Sequence, residues 1–533
     1  MRVSRLVIQS VGAGGLIGLL VLVLLLRLNP EVEPTAAQLA LAWLVWFCWG
    51  ALACGSVLAI LTGAVVALAG RRWRKTRGLF IPLSAAIFVV AAGTSRLNAD
   101  LHQAFLSGSG HRTLGQDAVS WLAAAVLVML ANLWAGRRSS HLGRLAVVVL
   151  VFALPLLRLV WQPTPGPGEH PVAANPLGAP SRPLLVIGVE GLDANFLLAN
   201  AASDRFPSLQ RLVNEGSWGV LHPGRPFLRR SLWTTTATGA YPHRHGVKSR
   251  WAWELPSLFS QPIRLLPWTP AGSGWLLPWG LTHRVPTPPS LLPPLWQRLR
   301  AAGVPTAAIE WPGVWAPGVI QPRDRRAPEA EDVDLGADFR SSLEAVLEPF
   351  PSDRDAIWAS VLDDLAELRT ARERQPQLTG TVWVYLRALG TFRHLLQPRG
   401  AADTAERAVQ EVMLELFDAQ LHSLLAEAGP DALVVVVSPY GLAAPGPWER
   451  LKRLLGAGGS WHTSARSCPD GILILLGRGV VPGQRARAAQ LVDVTPTLCY
   501  LLRLPVAQSM EGRVILDAID PHYLAITPLR VVD

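Results

Sequence analysis

The chain has 533 residues, of which 50% are hydrophobic and only 17% are charged. Soluble domains carry about 25% charged residues, so this balance excludes a wholly soluble or a disordered protein. The formal net charge is +10; residues 1–161 hold 14 basic and 4 acidic residues, while residues 162–533 hold 35 of each sign. The basic excess therefore indicates membrane topology, and nucleic acid is not expected as a partner.

Five apolar stretches in the first third of the chain are candidates for membrane spans, because crossing a bilayer takes about 20 mostly apolar residues. They lie at about 6–26, 43–69, 79–95, 118–135 and 145–161. None of these predicted spans carries an acidic or basic residue near its middle, so an ion path is not indicated. Residues 1–161 are therefore predicted to form a membrane region whose partner is the lipid bilayer.

Flanking charges predict the orientation of these spans. Arg2 precedes the first span, a basic run at 71–77 follows the second, and Arg144 precedes the fifth. Because cytoplasmic loops carry the Lys/Arg excess, the N-terminus is predicted to be cytoplasmic and, after five crossings, the C-terminal domain is predicted to lie outside. Only 3 of the 49 basic residues are lysines, which favours a GC-rich bacterial genome. We therefore expect a bacterial inner membrane protein with a periplasmic C-terminal domain.

Residues 162–182 are rich in Pro and Gly and are typical of a semi-rigid linker. From 183 to 533, short apolar runs alternate with helical patterns, which predicts an α/β domain with a mostly parallel, doubly wound sheet. The predicted strands are 184–189, 305–310, 381–386, 432–437 and 471–476, and the predicted helices include 290–302, 352–374, 403–427 and 493–503. A Trp- and Pro-rich insertion near 250–290 either rests on the membrane surface or packs on the core as an ordered loop.

Two of the four cysteines, Cys468 and Cys499, lie in the predicted external domain. A disulfide is permitted in that compartment. The sequence leaves open whether these two residues pair.

Ligands of open α/β sheets bind beyond the carboxyl ends of the strands. Several motifs follow in order at these places: Gly188-Val189-Glu190-Gly191-Leu192-Asp193, Trp233-Thr234-Thr235-Thr236-Ala237-Thr238-Gly239, Tyr241-Pro242-His243-Arg244-His245-Gly246, Val437-Ser438-Pro439-Tyr440-Gly441 and Val492-Asp493-Val494-Thr495-Pro496-Thr497. The ordered series, from about 184 to 516, resembles the alkaline phosphatase superfamily, specifically its type I phosphodiesterase/nucleotide pyrophosphatase-like branch. The resemblance implies that superfamily's α/β fold.

The resemblance also implies a site with two metal ions, usually zinc, and a Ser or Thr nucleophile. Most of the implied positions are substituted in this chain. The first metal ligand, an Asp in the family, is Glu190, and the nucleophile position is Arg229, a guanidinium that neither attacks nor binds metal. The other implied ligand positions hold Gly390, His394, Pro439, Tyr440 and Ser467. Only His394 is retained, although a local insertion would let His462 replace the residue lost at 467.

These substitutions favour a membrane-anchored pseudoenzyme with a binding, scaffolding or regulatory role at the outer membrane face and without a metal cofactor. Arg229, together with Arg230, would bind an anionic phosphate-containing ligand at a helix N-terminus. In the competing interpretation, Arg229 fills the emptied metal pocket and pairs with Glu190. An envelope protein is the other partner that this role would require.

The alternative is a metal-dependent phosphodiesterase, or a hydrolase or transferase of phospho-headgroups, acting on lipid or envelope substrates. It would need zinc or a similar ion held by Glu190, His394 and His462, with Ser231 or one of Thr234–Thr236 as nucleophile. A third class is a transport or assembly component in which the membrane spans act. Whether the chain is an enzyme therefore stays open, and the lost positions favour inactivity.

Overall fold

The computed structural model describes residues 2–68, 80–138, 141–162, 175–249, 251–255, 258–259, 261–266, 277–278, 282–285, 290–313, 319–320, 337–374, 380–396, 403–442 and 468–532. Contacts divide the chain into two units. The membrane unit comprises Met1–His170 and Lys248–Thr287, and the α/β unit comprises Pro171–Val247 and Pro288–Asp533.

The described part of the membrane unit contains five long helices. They are α1 (Arg2–Leu28), α2 (Ala36–Leu68), α3 (Phe80–Leu101), α4 (Gly108–Arg138) and α5 (His141–Trp161). By length and composition, α1 to α4 each hold a candidate membrane span, whereas the apolar part of α5, Ala146–Trp161, is shorter. Four of the five predicted spans thus meet the length criterion within the described residues, and the basic run at 71–77 lies outside them.

The helices α1 and α2 cross at close range because glycines face each other there. A Cβ on Gly50 would stand 2.8 Å from the Cα of Gly18, and a Cβ on Gly14 would stand 2.5 Å from the carbonyl oxygen of Gly50. Small residues allow such close backbone approach between membrane helices. Larger residues at these positions would force the two helices apart.

A buried ion cluster joins three of these helices. Asp117 of α4 accepts from Nε of Arg27 of α1 at 2.9 Å and from Nη2 of Arg158 of α5 at 2.7 Å. The sequence interpretation placed Asp117 just outside the span 118–135, but α4 begins at Gly108 and includes it. Since the last turns of α1 and α5 meet the same carboxylate, α5 runs in the same direction as α1 through the bundle.

The described parts of the Trp- and Pro-rich insertion belong to the membrane unit. Its strands β3 (Trp251–Trp253), β4 (Ile263–Arg264) and β5 (Thr282–Arg284) form an antiparallel sheet in the order β4-β3-β5. The Trp253 ring meets the Trp46 ring of α2 edge to face at 4.6 Å between centroids. The Lys248 ammonium pairs with Glu31 at 2.7 Å. The described parts of the insertion therefore pack on the helices of the membrane unit, a contact that neither of the two sequence interpretations includes.

An eight-stranded sheet forms the centre of the α/β unit, in the order β11-β2-β10-β9-β1-β8-β6-β7. The strands are β1 (Leu184–Val189), β2 (Ser217–His222), β6 (Thr306–Ile309), β7 (Val319–Ile320), β8 (Thr381–Leu386), β9 (Leu433–Tyr440), β10 (Asp470–Leu476) and β11 (Ala489–Gln490). Only β10 runs antiparallel to its neighbours. The predicted mostly parallel α/β fold is confirmed. The strand β2 was not predicted, because its sequence SWGVLH is not a continuous apolar run.

Helices cover both faces of this sheet and bury two apolar cores. They are α6 (Ala194–Ala201), α7 (Pro207–Glu215), α8 (Arg229–Thr238), α9 (Pro242–His245), α10 (Leu295–Ala301), α11 (Ala337–Leu347), α12 (Pro351–Arg374), α13 (Ala388–Leu396), α14 (Thr404–Ala428), α15 (Val494–Leu501) and α16 (Pro521–Ile526). A two-stranded sheet of β12 (Val506–Ala507) and β13 (Val531–Val532) lies near the end of the chain. The predicted helices were present, with α10 and α15 shorter than their predicted ranges.

Candidate functional site

Four polar side chains meet where β1, β8 and β9 end. Glu190 follows the last residue of β1, Tyr385 lies near the end of β8, and Tyr440 is the last residue of β9. Because these three parallel strands are neighbours in the order β9-β1-β8, their carboxyl ends lie at one edge of the sheet. Arg229, the first residue of α8, completes the group, which we call the Glu190 cluster.

The Glu190 carboxylate is held by three donors. Arg229 Nε donates to Oε2 at 3.1 Å, and the Tyr385 hydroxyl donates to the same oxygen. The Tyr440 hydroxyl donates to Oε1. Arg229 Nη2 also donates to the Tyr385 oxygen, so the guanidinium reaches the carboxylate both directly and through a phenol. Both carboxylate oxygens are therefore occupied by groups of the chain itself.

Charge and burial stabilise this arrangement. The Glu190 side chain is 7% exposed, and that of Arg229 is 38% exposed. Burial alone would lower the pKa of Arg229, but the Glu190 carboxylate and the two tyrosines raise it well above its usual value. Burial and the Glu190 charge raise the pKa of both Tyr385 and Tyr440 well above the ordinary range, so both phenols stay protonated and donate. The cluster thus carries one positive and one negative charge that neutralise each other.

Gly390, at an implied Asp position, lies against Glu190. A Cβ on residue 390 would stand 2.5 Å from both Cβ and Cγ of Glu190, closer than real Cβ contacts. The carbonyl oxygen of Glu190 would stand 2.7 Å from the same point. An Asp at 390 therefore does not fit beside Glu190 in this arrangement.

A second ion pair lies next to the cluster, between Asp193 and Arg393. Arg393 Nη2 donates to Asp193 Oδ2 at 2.9 Å, and the guanidinium also donates to the carbonyl oxygens of Gly191 and Leu442. The Arg393 side chain is 2% exposed, and its guanidinium carbon lies 3.9 Å from the centre of the Phe196 ring. Burial lowers the pKa of Arg393, an effect that Asp193 partly offsets. Asp193 also caps α6 by accepting from Phe196 N at 2.9 Å, as expected for an Asp at that position.

The hydroxyls that the alternative function would use as nucleophiles lie inside the α/β unit. Ser231 is fully buried, and its Oγ has no hydrogen-bond partner among the described residues. Thr234 donates to the Arg230 carbonyl and Thr236 to the Leu232 carbonyl, each four residues back in α8. Thr235 Oγ1 lies 3.0 Å from Nε2 of the buried His245. All four side chains on α8 are thus buried in the α/β unit.

The remaining implied ligand positions are placed as follows. His394 is in α13, four residues after Gly390, and is half-buried. Pro439 lies within β9, beside the buried Ser438, whose hydroxyl accepts from Leu192 N at 3.0 Å. His462 and Ser467 lie outside the described residues. Among the described residues, the structure therefore brings Glu190, Arg229, Gly390 and Tyr440 together.

Sequence reasoning missed Tyr385 and Arg393. Tyr385 stands next to the end of a predicted strand, and Arg393 immediately precedes His394, so both lay within motifs already recognised. Polar residues in an otherwise apolar strand or helix face were the available signal. Tyr440 was counted only as a lost imidazole, whereas its hydroxyl holds Glu190.

Two metal ions do not fit the described part of this site. A bound metal needs several free oxygen or nitrogen donors, and here both Glu190 oxygens accept hydrogen bonds from Arg229, Tyr385 or Tyr440. Within the described ranges there is no group of three or more His, Cys, Asp or Glu residues that could hold an ion. Arg229 and Arg393 instead supply the positive charges beside the carboxylates of Glu190 and Asp193.

Residues 184–493 match the family model described as type I phosphodiesterase/nucleotide pyrophosphatase. Among solved structures, the chain is similar to murine ectonucleotide pyrophosphatase/phosphodiesterase 5, with 14% identity over 60% of this chain and 95% of that chain and a TM-score of 0.33. It is also similar to phosphonoacetate hydrolase of Sinorhizobium meliloti, with 16% identity over 52% and 63% of the two chains and a TM-score of 0.30. No curated protein matches the chain.

Proposed function

Because the chain belongs to the type I phosphodiesterase/nucleotide pyrophosphatase family of the alkaline phosphatase superfamily, we propose that it is a membrane-anchored member that has lost hydrolysis and serves a binding, scaffolding or regulatory role. Its long apolar helices support membrane anchoring. Fold alone does not decide activity, so the proposal depends on the site.

The observation that carries the proposal is the position of Arg229. It stands where the family resemblance implies the nucleophile, and it is hydrogen-bonded to the carboxylate that stands where the resemblance implies a metal ligand. A guanidinium has no lone pair available for attack or coordination at neutral pH. The same side chain thus removes the nucleophile and neutralises the remaining carboxylate.

The test uses the purified full-length chain in detergent. We would measure bound zinc and manganese by elemental analysis and turnover of bis(p-nitrophenyl) phosphate with each metal added. The expected result is no stoichiometric metal and no turnover. Stoichiometric metal together with turnover that is lost in both Glu190→Ala and Glu190→Gln would overturn the proposal in favour of the metal-dependent hydrolase or transferase, with His394 and His462 as its further ligands.

Capture of an anion by Arg229 is a second candidate, which its partial exposure favours. The first residues of α8 have no side-chain cap, since the N-cap residue Leu228 is apolar. Free N–H groups at a helix N-terminus favour anions, and Arg229 extends from that end. An oxyanion such as phosphate would have to compete with Glu190 for the guanidinium, so the binding is expected to be weak.

Calorimetric titration with inorganic phosphate tests anion capture. Hydrogen bonds from a charged donor contribute roughly 1.5–3 kcal/mol, so Arg229→Ala should weaken phosphate binding about tenfold or more. Arg354→Ala, at an exposed arginine of α12, is the matched control and should leave the affinity unchanged. Equal affinity in Arg229→Ala and the unaltered chain would contradict this role.

We also propose that the N-terminus is cytoplasmic and the α/β unit periplasmic in a bacterial inner membrane. The charge pattern of the loops supports this orientation. The shared contact of Arg27 and Arg158 with Asp117 supports a fifth crossing by α5, since it makes α5 parallel to α1. Alkaline phosphatase and fluorescent-protein fusions at the C-terminus distinguish a chain with five crossings from one with four. Four crossings would leave both termini on the same side of the membrane.

A further inference from the structure

The end of the α/β unit exposes apolar side chains that are unusual for this unit. In the described part of the chain, the exposed large hydrophobic residues lie either in the membrane helices, between Val7 and Trp161, or between Leu516 and Val532. Four of the latter fall within seven residues and are 37–58% exposed: Ile526, Leu529, Val531 and Val532. These four residues lie close together in the chain, and exposed apolar groups that are neighbours on a surface mark interaction sites.

Arginines surround this apolar segment. Arg530 lies within it, and its Nη2 donates to the carbonyl oxygen of the exposed Arg503 at 2.6 Å. The Arg503 guanidinium lies 5.5 Å from the Tyr523 ring centre, and the Tyr523 hydroxyl and Arg182 Nη2 both donate to the Leu501 carbonyl. We call Arg182, Arg503, Arg530 and the four apolar residues the C-terminal patch.

The positive charges of the arginines lie close enough to influence one another. Burial lowers the pKa of Arg182, Tyr523 raises it, and the neighbouring charges of Arg478 and Arg503 lower it. Among the described residues, Asp520 caps α16 by accepting from His522 N and Tyr523 N, and Asp431 lies 3.9 Å from Arg478. The basic residues of the patch thus accompany the exposed apolar side chains, while Asp517, Asp520 and Asp533 are the acidic residues of the same segment of the chain.

We propose that the C-terminal patch binds the surface of an anionic lipid bilayer. Apolar side chains enter the boundary between headgroups and acyl chains, and basic residues pair with anionic headgroups. The membrane helices keep a bilayer at high effective concentration. Arg182 lies 21 residues after Trp161, a chain length of at most about 70 Å, so the patch can reach the bilayer in which its own chain is anchored. The inference needs membrane anchoring but does not depend on whether the site hydrolyses a substrate.

The experiment reconstitutes the full-length chain in vesicles. A polarity-sensitive fluorophore is attached to the cysteine of the Leu529→Cys variant. Cys48 and Cys468 are replaced by serine in the same chain, and Cys54 and Cys499 are retained because they are buried. A label at Ser352→Cys, exposed on α12, is the reference. Quenching by doxyl-labelled lipid is measured in phosphatidylcholine alone and in its mixture with phosphatidylglycerol.

We expect the label at 529 to be quenched roughly twofold more in the anionic mixture than in phosphatidylcholine, because basic residues are attracted to anionic headgroups. Arg503→Glu combined with Arg530→Glu should abolish this difference, whereas Arg354→Glu should preserve it. If the double variant lowers the melting temperature, Arg530→Glu alone replaces it. Quenching at 529 no greater than at 352 in both lipids would overturn the proposal. Concentration-dependent energy transfer between labelled copies, without lipid quenching, would also overturn it by showing a protein interface.

Discussion

Gly390 and Glu190 compete for the same space at the carboxyl edge of the sheet, since a Cβ on residue 390 would stand 2.5 Å from the Glu190 Cβ. Restoring the implied Asp at 390 alone is therefore expected to damage the site. Overpacking a filled interior costs about 1–3 kcal/mol, so Gly390→Asp should lower the free energy of unfolding by that amount.

A double variant that combines Gly390→Asp with Glu190→Gly tests whether contact with the Glu190 side chain causes this loss. It removes the Cβ and Cγ that a new side chain would meet, but the Glu190 carbonyl oxygen, 2.7 Å from the same point, stays in place. Partial recovery of the melting temperature in the double variant is expected. No recovery at all would contradict the steric link between the two positions.

Removing the charge of Arg393 should destabilise the α/β unit strongly. Breaking a buried ion pair by deleting one partner costs about 3–5 kcal/mol, because the other charge is left buried without compensation. Denaturant unfolding of Arg393→Met should show this loss. Arg393→Lys should not restore stability, because one ammonium cannot donate to Asp193, Gly191 and Leu442 at the same time. Arg354→Met, at an exposed position, should stay within about 0.5 kcal/mol of the unaltered chain.

His245 by itself is expected to lower the stability of the folded chain at acidic pH. Burial, with a contribution from the nearby His243, lowers the pKa of His245 to about 3. Between its ordinary pKa of 6.5 and that value, the unfolded chain binds a proton that the folded chain does not. The contribution of His245 to the free energy of unfolding therefore decreases as the pH falls through this window, by about 1.4 kcal/mol per pH unit.

Asp364 acts in the opposite direction. Burial raises its pKa to about 7, although it accepts hydrogen bonds from Arg387 N and Ala388 N. Between pH 3.8 and 7 the folded chain keeps a proton that the unfolded chain has lost, so stability decreases as the pH rises. The contributions of His245 and Asp364 should nearly cancel between about pH 4 and 6.5.

Two variants separate these contributions in melting temperatures measured across that pH range. His245→Gln should become less stable as the pH rises, because only Asp364 then titrates. Asp364→Asn should become more stable as the pH rises, because only His245 then titrates. Parallel profiles in the two variants would contradict both assignments.

Reducing agent should leave the melting temperature of the chain unchanged. No disulfide joins Cys468 and Cys499 in the structure. Burial raises the pKa of Cys499 to about 12, which keeps it as an unreactive thiol. A lower melting temperature after reduction, absent in Cys468→Ser, would show instead that the two residues pair.

The sequence predicted the fold well because the apolar runs of β1, β8 and β9 are continuous and buried on both faces. It did not predict β2, whose SWGVLH sequence carries Ser and His. At the site, motif spacing placed Glu190 and Arg229 but could not show that they touch, since Arg229 follows Glu190 by 39 residues. The sequence left open whether Arg229 binds an anion or pairs with Glu190. The structure has Arg229 Nε 3.1 Å from Glu190 Oε2, which is the contact that the second interpretation describes.

The insertion between Lys248 and Thr287 limits how this protein can be dissected. Its strands belong to the membrane unit although its neighbours in sequence belong to the α/β unit. A fragment that begins after the linker would carry Trp253, Phe259 and Ile263 into water without the α1 and α2 surface that covers them. Such a fragment should aggregate, and a soluble version requires a short loop in place of the insertion as well as removal of the helices.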